Sequence, residues 1–194
     1  MPSHKIHLGI AQEVNKKLKL DSDAIKLGSV LPDLTIKHNH GLSHFQYEDV
    51  YPKNLANADE FAKVNPSKND DISIGYIIHL LTDRYYNDYY YNTKLNWIKH
   101  DKEFKHKLFE SYDKYLLNQG VIKKINNTKI ISNIPDYNNI SFDKEYLKNY
   151  IDSLNYEIEN TKINKNYKVE HQEFLDSLYN ECIKYVLNKI DEYR

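Results

Sequence analysis

His79 and Asp83 stand four residues apart in the run His79-Leu80-Leu81-Thr82-Asp83. On an α-helix that spacing leaves two side chains about 40° apart around the axis and about 6 Å apart along it, so both reach one point in space. A neutral imidazole and a carboxylate are ordinary ligands of zinc and similar divalent ions. The flanking Ile77, Ile78, Leu80 and Leu81 predict a packed helix, where an ionised Asp83 is costly without a partner. Taken alone, the pair has two readings: the residues share a metal ion, or they hydrogen-bond to each other or to neighbouring helices. Three further residues have settings that suit the metal reading: His7 in the first helical run, Asp33 after Pro32, and His44 in Ser43-His44-Phe45. A loop residue that follows a helix can point toward a bundle core, where helix-borne ligands converge.

The elements that must bring these residues together are helical. Five Gly and five Pro in 194 residues favour long helices over a sheet with many tight turns. Ile6, Ile10, Ala11, Val14 and Leu18 share one face of a first helix from about Lys5 to Leu18. Asp21 or Ser22 caps a short second helix with Ala24, Ile25 and Leu27, and Gly28 begins its exit toward Pro32. The stretch LPDLTIKHNHGLSHF reads as a loop. Ile74, Ile77, Ile78, Leu81, Tyr85 and Tyr89 repeat at helical spacing from Asp70 or Asp71 onward and mark the most apolar, central helix. A further helix spans about Asp101 to Leu117, Gln119–Ser141 reads as coil, with VIKKINNTKIIS within it a short hairpin or loop, and helical spacing returns at Phe142–Ile158 and Phe174–Ile190. The expected architecture is one all-α, single-domain bundle of five to seven helices over residues 1–194.

Composition limits the function classes. A net charge of −1 provides no global field to attract a polyanion or an anionic membrane, so a broad nucleic-acid surface is not expected. The lone Cys182 cannot form an internal disulfide and lies in an apolar helical run, which points to a reduced, buried thiol. No stretch approaches the ~20 apolar residues of a membrane span, and the start MPSHKIHLGIAQEV has no signal-type apolar core; the expectation is a cytoplasmic protein. Gly-rich phosphate loops are absent, and Cys182 has no basic neighbourhood beyond Lys184 to activate it. The abundance of Asn, Lys, Ile and Tyr suggests an AT-rich genome more than any chemistry.

The other histidines have their own alternatives. His4, His38 and His40 lie beside the proposed site as peripheral candidates, with solvent-exposed loop positions favoured for His38 and His40. Asp101 in His100-Asp101 reads as a helix cap in preference to a metal doublet. His106 and Glu110 have ligand spacing, but the flanking Lys105 and Lys107 favour an exposed helical salt-bridge pair. Arg84 either clamps a phosphate or pairs with an acid such as Asp70 or Asp88, while Asn87 and Asp88 extend the polar stripe. The tyrosines at 85, 86, 89, 90 and 91 divide between core, pocket mouth and surface.

The order His7-x-x-Ile-Ala, Gly28-x-x-x-Pro-Asp33, Ser-His44-Phe and Gly75-Tyr-x-x-His79-Leu-Leu-Thr-Asp83 resembles the bacterial zinc-dependent phospholipase C family. Single-strand-specific fungal nucleases share its all-helical superfamily. The resemblance covers residues 1–90 by motif, and its specificity lies in five residues occurring in order. It implies that Asp33, His44, His79 and Asp83 surround one zinc and that Asp83 bridges to a second zinc also bound by His7. It further implies a metal-activated water that attacks a phosphodiester phosphorus, with Asp33 as general base as well as ligand. The substrate would be a small phosphodiester or a phospholipid head group. The chain departs from the larger secreted members, which use a mature N-terminal amine and place a further His where this sequence has Asp88-Tyr89. A centre of one or two zinc ions is therefore expected in place of three, and neither the actual substrate nor the oligomeric state is specified.

Overall fold

In the computed structural model, residues 2–35, 40–46, 55–66, 70–92, 102–138 and 140–194 are described, and they form an all-α fold. In chain order the α-helices are α1 (His4–Leu18), α2 (Ser22–Gly28), α3 (His40–Ser43), α4 (Ala58–Val64), α5 (Asp71–Asn92), α6 (Lys102–Asn118), α7 (Lys144–Asn160) and α8 (Gln172–Lys189). Short 3-10 turns occur at η1 (Leu31–Leu34), η2 (Thr128–Asn133) and η3 (Ile190–Tyr193). Among the described residues the only strand-like pairing is an isolated bridge between Tyr137 and Ile140.

Helix α5 is the axis of the fold. Every residue from Ile72 to Asp83 is buried, so this part of the helix has no polar outer face and must be surrounded by other helices. Asp70 sets its start by accepting hydrogen bonds from the Ser73 amide and hydroxyl. Helices α1, α2, α4 and α8 pack around it. The crossing with α2 is a backbone-to-backbone contact, because a Cβ at Gly28 would lie 2.0 Å from the Ile72 carbonyl oxygen and one at Gly75 would lie 2.4 Å from that of Ile25. Only glycine at both positions permits this approach.

Helix α1 begins at Ser3, whose side chain accepts the Ile6 amide at 3.3 Å, a cap of about 1 kcal/mol. It ends at Lys19, in the left-handed region at φ 58°. Its inner face buries Ile6, His7, Ile10, Ala11 and Val14, which places His7 among the apolar positions that face α5. Asp21 caps α2 as expected, accepting from the Asp23 and Ala24 amides.

The LPDL segment, expected as loop, winds into η1, with Pro32 fixing φ in its first turn. Helix α4 has no counterpart in the sequence expectations; only Ala58 and Phe61 of it are buried, too few apolar positions to show a helical period. Among the described residues no hairpin forms in VIKKINNTKIIS: 121–127 is irregular and 128–133 turns into η2. Cys182 is a free, buried thiol on α8, as the apolar run suggested.

Candidate metal centre

The five residues singled out in the sequence converge. His7, His44, His79 and Asp83 are fully buried and the Asp33 side chain is 7% exposed. Helix α1 supplies His7, η1 supplies Asp33, the turn after α3 supplies His44, and α5 supplies His79 and Asp83.

Hydrogen bonds around the cluster orient its rings. His79 Nδ1 lies 2.8 Å from the Ser29 carbonyl oxygen, which can only accept, so Nδ1 carries the proton and a neutral ring presents a lone pair at Nε2. The Gly28–Gly75 crossing puts that carbonyl within reach. His44 Nδ1 lies 3.0 Å from the Ser43 hydroxyl, and Tyr76 donates its own hydroxyl to the Ser43 carbonyl at 2.5 Å. The following residue, Phe45, has φ 54°, an unfavourable conformation for a bulky side chain. Its ring is held edge-on to Phe61 and Tyr76, and the His44 carbonyl accepts the Asn57 amide at 3.0 Å. The turn that aims His44 inward is thus anchored on both sides.

Three donor atoms lie close to His44 Nε2. His44 Nε2 is 3.0 Å from His79 Nε2, 3.3 Å from Asp33 Oδ1 and 3.1 Å from Asp83 Oδ2. His79 Nε2 is 3.9 Å from Asp33 Oδ1 and 3.6 Å from Asp83 Oδ2. Ligands bound at about 2.0–2.1 Å around a tetrahedral zinc are roughly 3.3 Å from one another, and these separations bracket that value. The other oxygen of Asp83, Oδ1, faces His7 Nε2 at 3.3 Å, and the His7 ring stacks on His79 at 3.8 Å between centroids. Asp83 therefore has one oxygen toward the His44–His79 pair and one toward His7.

Two overlapping ligand sets result, His7–His79–Asp83 and Asp33–His44–His79, each with donor atoms within 4.8 Å of one another. They share His79, whose single free nitrogen serves one ion. Two ions would need a carboxylate bridge, for which the two oxygens of Asp83 are divided.

The electrostatics fit a cation. Among the described residues, neither ring nitrogen of His7 and neither oxygen of Asp83 makes a hydrogen bond of good geometry. Such burial of polar atoms is costly and calls for a compensating partner. Burial opposes ionisation of Asp83, but the imidazoles of His44, His7 and His79 close to its oxygens outweigh it and hold the carboxyl well below the usual range. Asp33 is likewise held low: burial opposes its ionisation, while His79, His4 and His44 favour it. With no cation, two imidazole nitrogens 3.0 Å apart cannot both present lone pairs. The proton then belongs on His44: burial disfavours it, but Asp33 and Asp83 raise its pKa to about 9. Burial and the neighbouring His79 lower His7 to about 4. A divalent ion and a proton compete for the same nitrogen pair.

The structure gives His4 a more direct place than its sequence position suggested. Its Nε2 lies 3.3 Å from Asp33 Oδ2, so Asp33 turns one oxygen inward and the other toward His4. His4 is three residues before His7 and shares its helix face, a spacing that signals the connection. Beyond them opens a pocket of about 810 Å³ among the start of α1, Asp33, α6 and α7. His106 and Glu110 line this pocket and are exposed, but among the described residues the expected ion pair between them does not form. On that helix Lys107 pairs instead with Glu103, at 2.6 Å. Arg84 pairs with Asp88 at 2.9 Å, the structural alternative for that residue. Tyr86 is a core ring and Tyr85 donates to Glu181. His38, His100 and Asp101 lie outside the described residues, and of His40 the backbone alone is described. The chain matches no protein-family model, no curated protein and no solved structure.

Proposed function

We propose that this protein is a zinc-dependent phosphodiester hydrolase resembling zinc-dependent phospholipase C. The observation that carries the reading is the placement of Asp33 where a buried His/Asp cluster meets a pocket of about 810 Å³. Zinc, when bound, lowers the pKa of a water and neutralises charge on a phosphate. His44, His79, Asp33 and Asp83 would hold one ion, and His7 with the outer oxygen of Asp83 a second. The division of Asp83 between His7 and the His44–His79 pair supports one or two ions. Asp33 faces the pocket, where it can accept the proton of an attacking water, and Lys5 and Lys105 line the same pocket and can meet the charge of a small phosphodiester or phospholipid head group. No described helix is long and apolar enough to cross a membrane, and a cytoplasmic location is part of this reading.

The complete burial of His7, His44, His79 and Asp83 favours one alternative, a closed structural metal site in a non-catalytic helical protein. A phosphodiester panel assayed with the zinc-loaded wild type and Asp33→Asn separates the two. The hydrolase reading expects activity that falls at least about 100-fold in the variant. Equal rates, or no activity in the zinc-loaded wild type, refute it.

A further inference from the structure

The pocket contains a second carboxyl that the proposed chemistry leaves unused. Asp113, on α6, lines the pocket with Asp33 and is itself 8% exposed. Ser3 donates its hydroxyl to Asp113 Oδ1, and the next residue, His4, holds Asp33 through Oδ2. Two consecutive residues at the start of α1 thus tie down two carboxyls, one from the metal cluster and one from α6.

Around Asp113 burial dominates and pushes the carboxyl up to about 6; the Ser3 hydrogen bond and the charges of Lys5 and His4 oppose the rise, and Glu157 adds to it. The other titratable groups lining the pocket are Lys105, His106 and Glu110 on α6 and Tyr146 and Tyr150 on α7. His106 and Glu110 are exposed, so water solvates their charged forms. A buried carboxyl held by a hydroxyl in the same pocket as Asp33 is placed to carry a proton to a bound substrate.

Resting on the phosphodiesterase reading, we propose that Asp113 is the general acid of this pocket and protonates the leaving oxygen of the phosphodiester. The water oxygen forms a bond to phosphorus as one of its protons passes to the Asp33 carboxylate. The bond from phosphorus to the leaving oxygen breaks, its electron pair stays on that oxygen, and the oxygen takes the proton of Asp113. A phosphomonoester and an alcohol leave. Solvent then returns one proton from Asp33 to Asp113, and both carboxyls recover their starting states.

The test compares two substrates of the zinc-loaded enzyme. Glycerophosphoglycerol has an alkoxide leaving group that needs a proton, whereas bis(4-nitrophenyl) phosphate releases a phenolate that does not. Asp113→Asn is expected to lower kcat/KM for the first by about 100- to 1,000-fold and for the second by less than about 3-fold, with zinc content unchanged. A second readout needs no activity: carbon-detected NMR of the metal-free wild type should show a carboxyl titrating near 6 that Asp113→Asn removes. Should that variant not fold, Ser3→Ala retains the carboxyl, and loss of its hydrogen-bond donor should move the same midpoint upward. An active wild type with equal losses on both substrates overturns the inference alone, as does the absence of the titrating carboxyl. A zinc-loaded wild type inactive on both substrates overturns the hydrolase reading and this inference with it.

Discussion

Replacing Gly75 by alanine tests whether the α2–α5 crossing positions the centre. Its Cβ would lie 2.4 Å from the Ile25 carbonyl oxygen, where carbon–oxygen contacts settle at about 3.3 Å, so α2 must retreat by about 0.9 Å. The Ser29 carbonyl moves with α2, and its 2.8 Å contact with His79 Nδ1 stretches beyond hydrogen-bonding range. Overpacking contributes about 1–3 kcal/mol of destabilisation and the orphaned buried N–H about 1–3 kcal/mol. Alanine's better helix propensity offsets about 1 kcal/mol of this. The net loss is about 3 kcal/mol, which for a chain of this size lowers Tm by roughly 6–12 °C. Because His79 also loses the group that fixes its tautomer, zinc affinity should fall by about 10- to 100-fold. Urea unfolding and competitive zinc titration measure the two effects. In Gly9→Ala the added Cβ meets the end of the Tyr179 side chain instead of backbone, and zinc affinity should be retained. A Gly75→Ala protein with unchanged or higher stability and unchanged zinc affinity refutes the reasoning.

The remaining expectations concern charge, ligands and the thiol. In the metal-free protein His44 has a pKa of about 9 against 6.5 when unfolded, so its contribution is fully present below 6.5 and is lost as pH rises through about 9. Urea unfolding should record this alkaline loss, on the order of 3 kcal/mol, and zinc should abolish it because the bound ring carries no added proton. His79→Ala should lose most bound metal in elemental analysis while His106→Ala, at an exposed position outside both ligand sets, retains it. Burial raises the Cys182 thiol well above its usual range, so a thiol reagent should label it only on unfolding; rapid labelling of the folded protein contradicts that burial.

The parts of the site that were legible in the sequence depend on local spacing. His79 and Asp83 meet because they are one helical turn apart, and the apolar residues around them announce a buried helix. Asp33 and His44 had suitable settings, but their arrival beside His79 depends on η1 and on the Phe45 turn, which no periodicity encodes. Gly28 and Gly75 were visible as glycines within or beside helices; that they face each other is a property of the crossing. Asp113 gave no signal because its partner, Ser3, is 110 residues away in sequence. His4 was recoverable from its three-residue spacing to His7. The short α4 escaped notice because only Ala58 and Phe61 of it are buried, whereas α2, of equal length, has a run of apolar residues and a capping Asp21.

The central claim is that one buried point among His44, His79, Asp33 and Asp83 holds a divalent metal. Anomalous diffraction at the zinc edge, from crystals of protein purified without chelator and reconstituted with zinc, tests it most directly. An anomalous peak is expected between His44 Nε2, His79 Nε2 and the inward oxygens of Asp33 and Asp83, with any second peak on the His7 side of Asp83. No peak at this cluster, together with less than about a tenth of an equivalent of zinc per chain against the one or two ions such a ligand set holds, would contradict it.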